Sequence, residues 1–391
     1  MRVLAACSLG GAGHLNPLLP FLSAARRRGF ETLVVGPPAL DEMVERAGFA
    51  FRAGGEPPEE EVAPIRERLA LSPPLEASVL GNRELFGRLA TRAMLPAMER
   101  TCHEWRPDLV LRDPCEYASA VVAARSGITT AQVAISLAQA EAGSIAVAAP
   151  ALEEYRTGLA EELNASPYLT RFPASIDPSP FPITVRFRET RPEVSRPLPD
   201  WWDGSAAPFV YMTFGTVLGY MSIGAGVYRT ALKVAQSLSV RALLTVGHRF
   251  DLSDLGPVPA NVHVEAWVDQ ADVLHRADVV VCHGGSGTVF GAMAAGVPVV
   301  VTPLFADQFE NGRRIAAAGA GLVVEAEQTG TAGIRLPITE DDAPSIAEAV
   351  EAVLREPSYR AHARRIAAEI AATPTVDAVL DDLVRGPIRP R

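Results

Sequence analysis

Residues 277–303 read ADVVVCHGGSGTVFGAMAAGVPVVVTP, and Leu304-Phe305-Ala306-Asp307-Gln308 follow directly. Val279-Val280-Val281 feeds a histidine-glycine turn, a small-residue helical stretch follows, and Val299-Val300-Val301 forms a second apolar run. A buried strand that enters a glycine turn and then a helix start belongs to parallel α/β architecture. It gathers unpaired backbone N–H groups and the positive end of a helix dipole at one point. His283 adds a donor at the mouth of that turn, and Asp307-Gln308 falls just past the next strand, where open parallel sheets place ligands. The stretch predicts a phosphorylated ligand bearing a hydroxyl-rich group.

At 391 residues the chain exceeds one ordinary core, so two domains are expected. A net charge of −10 argues against nucleic acid, whose phosphate backbone calls for a clustered basic surface. No apolar run reaches the ~20 residues that span a bilayer, so no stable membrane insertion is expected. The start, MRVLAACSLGG, reads as a first strand and not as a signal peptide. Cys7, Cys102, Cys115 and Cys282 show neither CxxC nor metal-ligand spacing, which suits a reducing cytoplasm, with Cys7 and Cys282 packed in apolar strands.

Strand-like and helix-like segments alternate on both sides of the chain. Arg2–Cys7, Thr32–Val35, Asp108–Leu111 and Ala131–Ala134 read as strands of a first parallel sheet, with helices after Pro17 and at Ala118–Ala124. The Glu-, Pro- and Arg-rich stretch from Gly54 to about Phe86 breaks that rhythm and reads as a surface insertion or lid. Eight prolines between Phe172 and Pro208 suggest a semi-extended linker. A second series then begins at Phe209–Thr216 and runs through strands at Leu243–Val246, Val262–Val264, Val279–Val281, Val299–Val301 and Leu322–Val324. The expectation is an α/β chain of two Rossmann-like domains, residues 1–200 and 208–391, with parallel sheets facing across a cleft. The final helix is a candidate to return to the first domain.

Gly10-Gly11-Ala12-Gly13-His14 follows the first strand, but it lacks both the P-loop lysine and the dinucleotide glycine spacing. His14 falls at a strand's carboxyl edge, where catalytic groups gather; a helix-capping or wall-packing histidine is the alternative. Asp113 follows a neighbouring strand and could fix the imidazole tautomer and raise the basicity of the other nitrogen. Glu116 is the rival acid. In the second half, Thr216 closes a small hydroxyl-bearing turn, His283 through Thr288 supplies a helix start, and Trp267 ends a strand. There Trp267 could stack on a flat base or simply pack in the core.

Gly13-His14 with Pro17, Trp267-Val268-Asp269-Gln270, His283-Gly284-Gly285 and Pro303 through Asp307-Gln308 together resemble the nucleotide-sugar-dependent glycosyltransferases of the GT-B fold. The likeness is nearest to bacterial enzymes that decorate macrolides, enediynes and aromatic polyketides. It covers nearly the whole chain and is tightest in the second half. The resemblance implies an inverting, metal-independent transfer in which His14 is the general base and Asp113 its orienting acid. Thr216, His283, Gly284, Gly285, Ser286, Gly287 and Thr288 would hold the diphosphate, Trp267 and Val268 the base, and Asp307 and Gln308 the sugar. It implies no cofactor and no metal, only a nucleotide-sugar co-substrate and a hydrophobic acceptor; a homodimer stays open. No DxD motif is evident, and Asp341-Asp342 and Asp381-Asp382 read as helix-start or surface residues.

Two departures bear on the donor. Plant and animal relatives usually carry a glutamate eight residues after the motif histidine, to bind both ribose hydroxyls; here that position is Gly291. A missing carboxylate suits a deoxyribose, so a dTDP-sugar is expected over a UDP-sugar. Ser286 replaces the plant-type tryptophan and leaves the sugar open. The small, apolar run Ala134–Ala149 suits an aglycone pocket, although helix packing accounts for the same composition. A UDP-sugar transferase, a sugar-nucleotide epimerase and a non-catalytic nucleotide-sugar binder are the other readings. A pure binder has no use for a base-acid pair.

Overall fold

The computed structural model describes residues 1–8, 11–189, 197–202, 204–327 and 336–386; Gly10, the connector segment 190–196 and the tail 387–391 lie outside them. The chain divides into two compact units, Met1–Thr190 with Thr373–Arg391, and Arg191–Ala372.

The first unit is built on β1 (Arg2–Ala6), β2 (Glu31–Gly36), β3 (Ala50–Ala53), β4 (Leu109–Arg112), β5 (Thr129–Val133), β6 (Tyr168–Thr170) and β7 (Thr184–Arg186). They pair in the order β3-β2-β1-β4-β5-β6-β7, parallel throughout. The second unit holds β8 (Phe209–Thr213), β9 (Arg241–Thr245), β10 (Val262–Glu265), β11 (Val279–Cys282), β12 (Val299–Val301) and β13 (Gly321–Val323). Their order is β10-β9-β8-β11-β12-β13, again all parallel. Central strands such as β8, β11 and β12 are buried along their whole length, which is why they read as unbroken apolar runs and not as alternating ones. Both units are Rossmann-like.

Three strands escape the sequence reading. β3, β6 and β7 are only three or four residues long, and β7 lies inside the proline-rich stretch that reads as linker. Part of that stretch is therefore sheet. Thr184–Arg186 pairs with β6, and the segment leads on to Arg188, whose N–H donates to Pro374 O at 2.8 Å.

The Gly54–Phe86 stretch, read as an insertion, is mostly helical. Glu59–Leu71 is a helix with three glutamates in its first turn, as its dipole favours. From Pro74 the chain stays helical to Trp105, with wide π-type turns over Val79–Ala90. Gly87 lets this segment approach the helix Ala138–Leu152: a Cβ there would lie 3.3 and 3.4 Å from the Cβ atoms of Ala151 and Ala148. Ile145, Ala148, Ala151 and Leu152 are buried, so much of the small-residue run serves helix packing.

The helix Val376–Arg385 belongs to the first unit. It buries Val376, Val379, Leu380 and Leu383, and Arg28 clamps it through Asp377 (2.6 Å) and both oxygens of Asp381 (2.6 and 2.8 Å). Asp342, expected in a helix-start or surface role, is a buried cap. It accepts from the Thr339 N–H at 2.7 Å and the Glu327 N–H at 3.0 Å. All four cysteines are free, with Cys7 and Cys282 buried. Among the described residues no helix is long and apolar enough to cross a membrane.

Candidate functional site

Each sheet reverses its winding once, between β1 and β4 in the first and between β8 and β11 in the second. At such a switch point the two neighbouring loops diverge and leave a crevice at the strands' carboxyl ends. The candidate residues gather at these two places.

In the first unit, β1 leads to His14 and β4 to Asp113. His14 Nδ1 lies 3.2 Å from Asp113 Oδ2, and Asp113 is wholly buried. The Asp113 carboxylate accepts from the Ser8 N–H (2.7 Å), the Ser8 hydroxyl (3.0 Å) and the Cys115 N–H (2.8 Å). Burial opposes ionisation here, but the facing His14 and the Ser8 and Cys115 amides hold the carboxyl below its usual value. With Nδ1 turned to a carboxylate, Nε2 is the nitrogen left to take a proton. Glu116 is not part of this pair. Its carboxylate caps the helix Ala118–Ser126 through the Ser119 N–H at 3.1 Å and the Ser119 hydroxyl. Sequence reasoning missed Ser8, whose hydroxyl also lies 3.4 Å from His14 Nδ1. A serine after a strand carries no signal of a partner more than a hundred positions away; only the β1–β4 register brings them together. Phe86 comes from the helical insertion, its ring centroid 6.1 Å from that of His14.

In the second unit, β8 ends in the Gly215-Thr216 turn and β11 in His283. The imidazole sits between glycines: a Cβ at Gly215 or Gly285 would lie 2.9 or 2.4 Å from His283 Nε2. Nδ1 is buried with no hydrogen bond to the described residues. Burial lowers the His283 pKa to about 4 and outweighs the nearby Asp307 charge, so the ring is neutral near pH 7. Gly284 needs its positive φ of 89°, and a Cβ there would strike Val301 Cγ1 at 2.7 Å and Gln308 O at 2.8 Å. The helix Ser286–Ala294 starts at Gly285 with no side chain capping its N–H groups. Such a start is a ready anion site. Gly287 is open and Thr288 half-buried beside it.

Beyond β12, Ser286 donates to Asp307 Oδ2 at 2.8 Å. Asn311 Nδ2 joins Gly284 O (2.8 Å), Ser286 Oγ (3.0 Å) and Asp307 Oδ2 (3.2 Å). Sequence reasoning passed over Asn311, a buried polar residue one helical turn after Asp307. The Gln308 side-chain oxygen Oε1 accepts from the Leu304 and Phe305 N–H groups at 2.8 and 3.0 Å. Ala306, just before this pair, holds a φ of 56°, a conformation that non-glycine residues seldom adopt. Trp267 is no core residue: it is 58 % exposed, with Val268 half-buried behind it. Thr216 is exposed in its turn. Gly291 is buried, and a Cβ there would meet Gln270 Oε1 and Leu274 Cδ1, both at 3.2 Å. Packing alone thus gives this position a reason to be glycine.

Comparison with known proteins sets these features in a family. Residues 23–208 match the N-terminal domain and residues 232–385 the C-terminal domain described as erythromycin biosynthesis protein CIII-like. The L-demethylnoviosyl transferase of Streptomyces niveus is 32 % identical over 98 % of this chain and 97 % of its own length. The elloramycin glycosyltransferase ElmGT of Streptomyces olivaceus is 32 % identical over 96 % and 94 %. Among solved structures, the spinosyn rhamnosyltransferase SpnG complexed with thymidine diphosphate superposes with a TM-score of 0.78, at 22 % identity over 98 % of this chain and 100 % of that one. The fold is therefore GT-B, and the chain belongs to the erythromycin biosynthesis protein CIII-like family of antibiotic glycosyltransferases.

Proposed function

We propose that this glycosyltransferase is inverting and metal-independent, and that it moves a deoxy sugar from a dTDP-sugar to a hydroxyl of a hydrophobic natural-product acceptor such as a polyketide. The observation that carries the reading is the His14–Asp113 pair at the first switch point. An imidazole held by a buried carboxylate has its remaining nitrogen suited to deprotonate an acceptor hydroxyl. A single displacement at the anomeric carbon by that oxygen inverts the centre. The leaving diphosphate gains negative charge as the bond breaks. The uncapped start of Ser286–Ala294, neutral His283 and Thr216 supply preorganised donors for it, so the reading asks no metal of the site. Trp267 offers a face to the base, and Asp307 and Gln308 face the sugar.

The dTDP preference rests on Gly291, where relatives with a ribose-binding glutamate carry a carboxylate, and it agrees with the thymidine diphosphate named in the SpnG complex. His14→Ala should abolish transfer from a dTDP-sugar while leaving dTDP affinity intact in a calorimetric titration. Unchanged turnover would remove His14 from the base role. A clear preference for UDP over dTDP in the same titration would remove the deoxyribose argument.

A further inference from the structure

The ring planes of His248 and Trp267 lie 21° from parallel, with centroids 6.5 Å apart. Their placement follows from the backbone. β9 and β10 pair in parallel from Ala242↔Val262 to Thr245↔Glu265, and the ladder runs two rungs further, Val246 N–H to Glu265 O (3.1 Å) and Gly247 N–H to Ala266 O (2.9 Å). It ends at Gly247, whose φ of 83° turns the chain and sets the His248 ring beside that of Trp267. Both residues are exposed, and Trp267 is among the large apolar side chains that the second unit leaves open to solvent. Aromatic atoms in contact stand about 3.5–4.0 Å apart, so a flat ring between two others needs about 7 Å. Centroids 6.5 Å apart and planes 21° from parallel reach that arrangement when the exposed His248 side chain turns its face opposite that of Trp267.

The position of this ring pair is as informative as its spacing. A Cβ on Gly247 would lie 3.8 Å from Thr216 O, and one on Gly215 would lie 2.9 Å from His283 Nε2. His248, Gly247, Thr216, Gly215 and His283 therefore form a continuous strip across the carboxyl ends of β9, β8 and β11. A nucleoside diphosphate laid along it would put its base at one end and its phosphates at the other.

We propose that His248 is the second wall of the nucleobase site, so that the pyrimidine is held between two rings and not on one. The inference rests on the donor-site reading of Trp267 and His283 given above. Held on both faces, the base loses solvent on both, and His248 sets affinity for the nucleotide without touching the transferred sugar. The wall acts through its flat face, so another aromatic ring should replace it.

The test is titration calorimetry with dTDP on the full chain and on His248→Ala, His248→Phe, Trp267→Ala and His283→Ala, each checked for an unchanged Tm. His248→Ala should weaken dTDP about tenfold, the scale of one base–aromatic stack. His248→Phe should return to within about twofold of the parent. If His248→Ala binds like the parent while Trp267→Ala and His283→Ala are weakened, the second wall is wrong and the donor site stands. A His248→Phe variant as weak as His248→Ala means that the imidazole acts by hydrogen bonding, which also overturns the stacking role. If none of the variants differs from the parent, or the parent itself does not bind dTDP, the donor-site reading fails and this inference falls with it.

Discussion

Asp113 Oδ2 stands 3.2 Å from His14 Nδ1 and at the same time accepts the Ser8 N–H at 2.7 Å, so the carboxylate is fixed to the backbone before it fixes the imidazole. Asp113→Asn keeps the shape but removes the charge and offers a donor where Nδ1–H needs an acceptor. Transfer should fall by about 10²–10⁴-fold, the range a positioned base contributes, with dTDP affinity unchanged. A variant whose turnover is within threefold of the parent would show that His14 needs no orienting acid.

His283 is neutral in the folded protein down to about pH 4, whereas an unfolded histidine takes its proton near pH 6.5. In that window the unfolded chain binds a proton that the folded chain refuses, so this residue makes stability fall as pH drops from about 6.5 to about 4. His283→Gln should lessen that fall in denaturant melts compared at pH 7 and pH 5. His283→Ala should weaken dTDP by about 1.5–3 kcal/mol, the worth of a hydrogen bond to a charged group. Equal affinity in parent and variant would rule out the phosphate contact.

Two glycines of the same motif should separate stability from binding. A Cβ on Gly284 collides with Val301 and the Gln308 carbonyl at positive φ, so Gly284→Ala should cost about 2–4 kcal/mol and lower Tm by several degrees. Gly287→Ala meets nothing within 4 Å and favours the helix, so Tm should hold or rise slightly. Its methyl group, however, enters the uncapped helix start, and dTDP affinity should drop. Loss of stability in Gly287→Ala, or full stability in Gly284→Ala, would contradict these geometries.

Central parallel strands were legible because burial on both faces demands unbroken valine and leucine runs, as in Val279–Val281. The switch-point residues were legible for a related reason: turns that bear ligands follow such strands directly, so His14, Asp113 and His283 stood at readable positions. The short strands at one end of the first sheet were not. Tyr168–Thr170 and Thr184–Arg186 are three residues each, and the neighbouring prolines outweigh them in any local reading. The Gly54–Phe86 helices were hidden because Glu59–Leu71 is charge-rich and carries Pro64, and Val79–Ala90 winds in π-type turns, which blurs the 3.6-residue period. Ser8, Asn311 and His248 share a different cause: their meaning lies in partners supplied by register or by a turn, and a single sequence does not print register. Gly291 shows the converse. Its absent carboxylate was readable, but the Gln270 and Leu274 side chains packed against it were not.

Glu141 offers a test independent of transfer. It is buried in the first unit, where one oxygen accepts from the Ile135 and Ser136 N–H groups at 2.8 and 2.7 Å, while Oε2 is shut off from solvent without a hydrogen bond. Burial raises its pKa to about 8 against the pull of the neighbouring Tyr168 hydroxyl and of those two amides, so the folded protein keeps this acid neutral at pH 7. An unfolded glutamate ionises near 4.3. Between about pH 4.3 and 8 the folded state therefore holds a proton that the unfolded state has released, and stability falls as pH rises through that window, by about 1.4 kcal/mol per unit at most. Above the folded pKa the loss levels off. Glu141→Gln mimics the neutral acid and cannot ionise, so the difference in unfolding free energy between variant and parent should grow in the variant's favour from pH 5 to pH 8. Chemical denaturation at those pH values measures it. A difference that stays constant across the range would mean that Glu141 is ionised in the folded chain, with Oε2 reached by water or a partner after all.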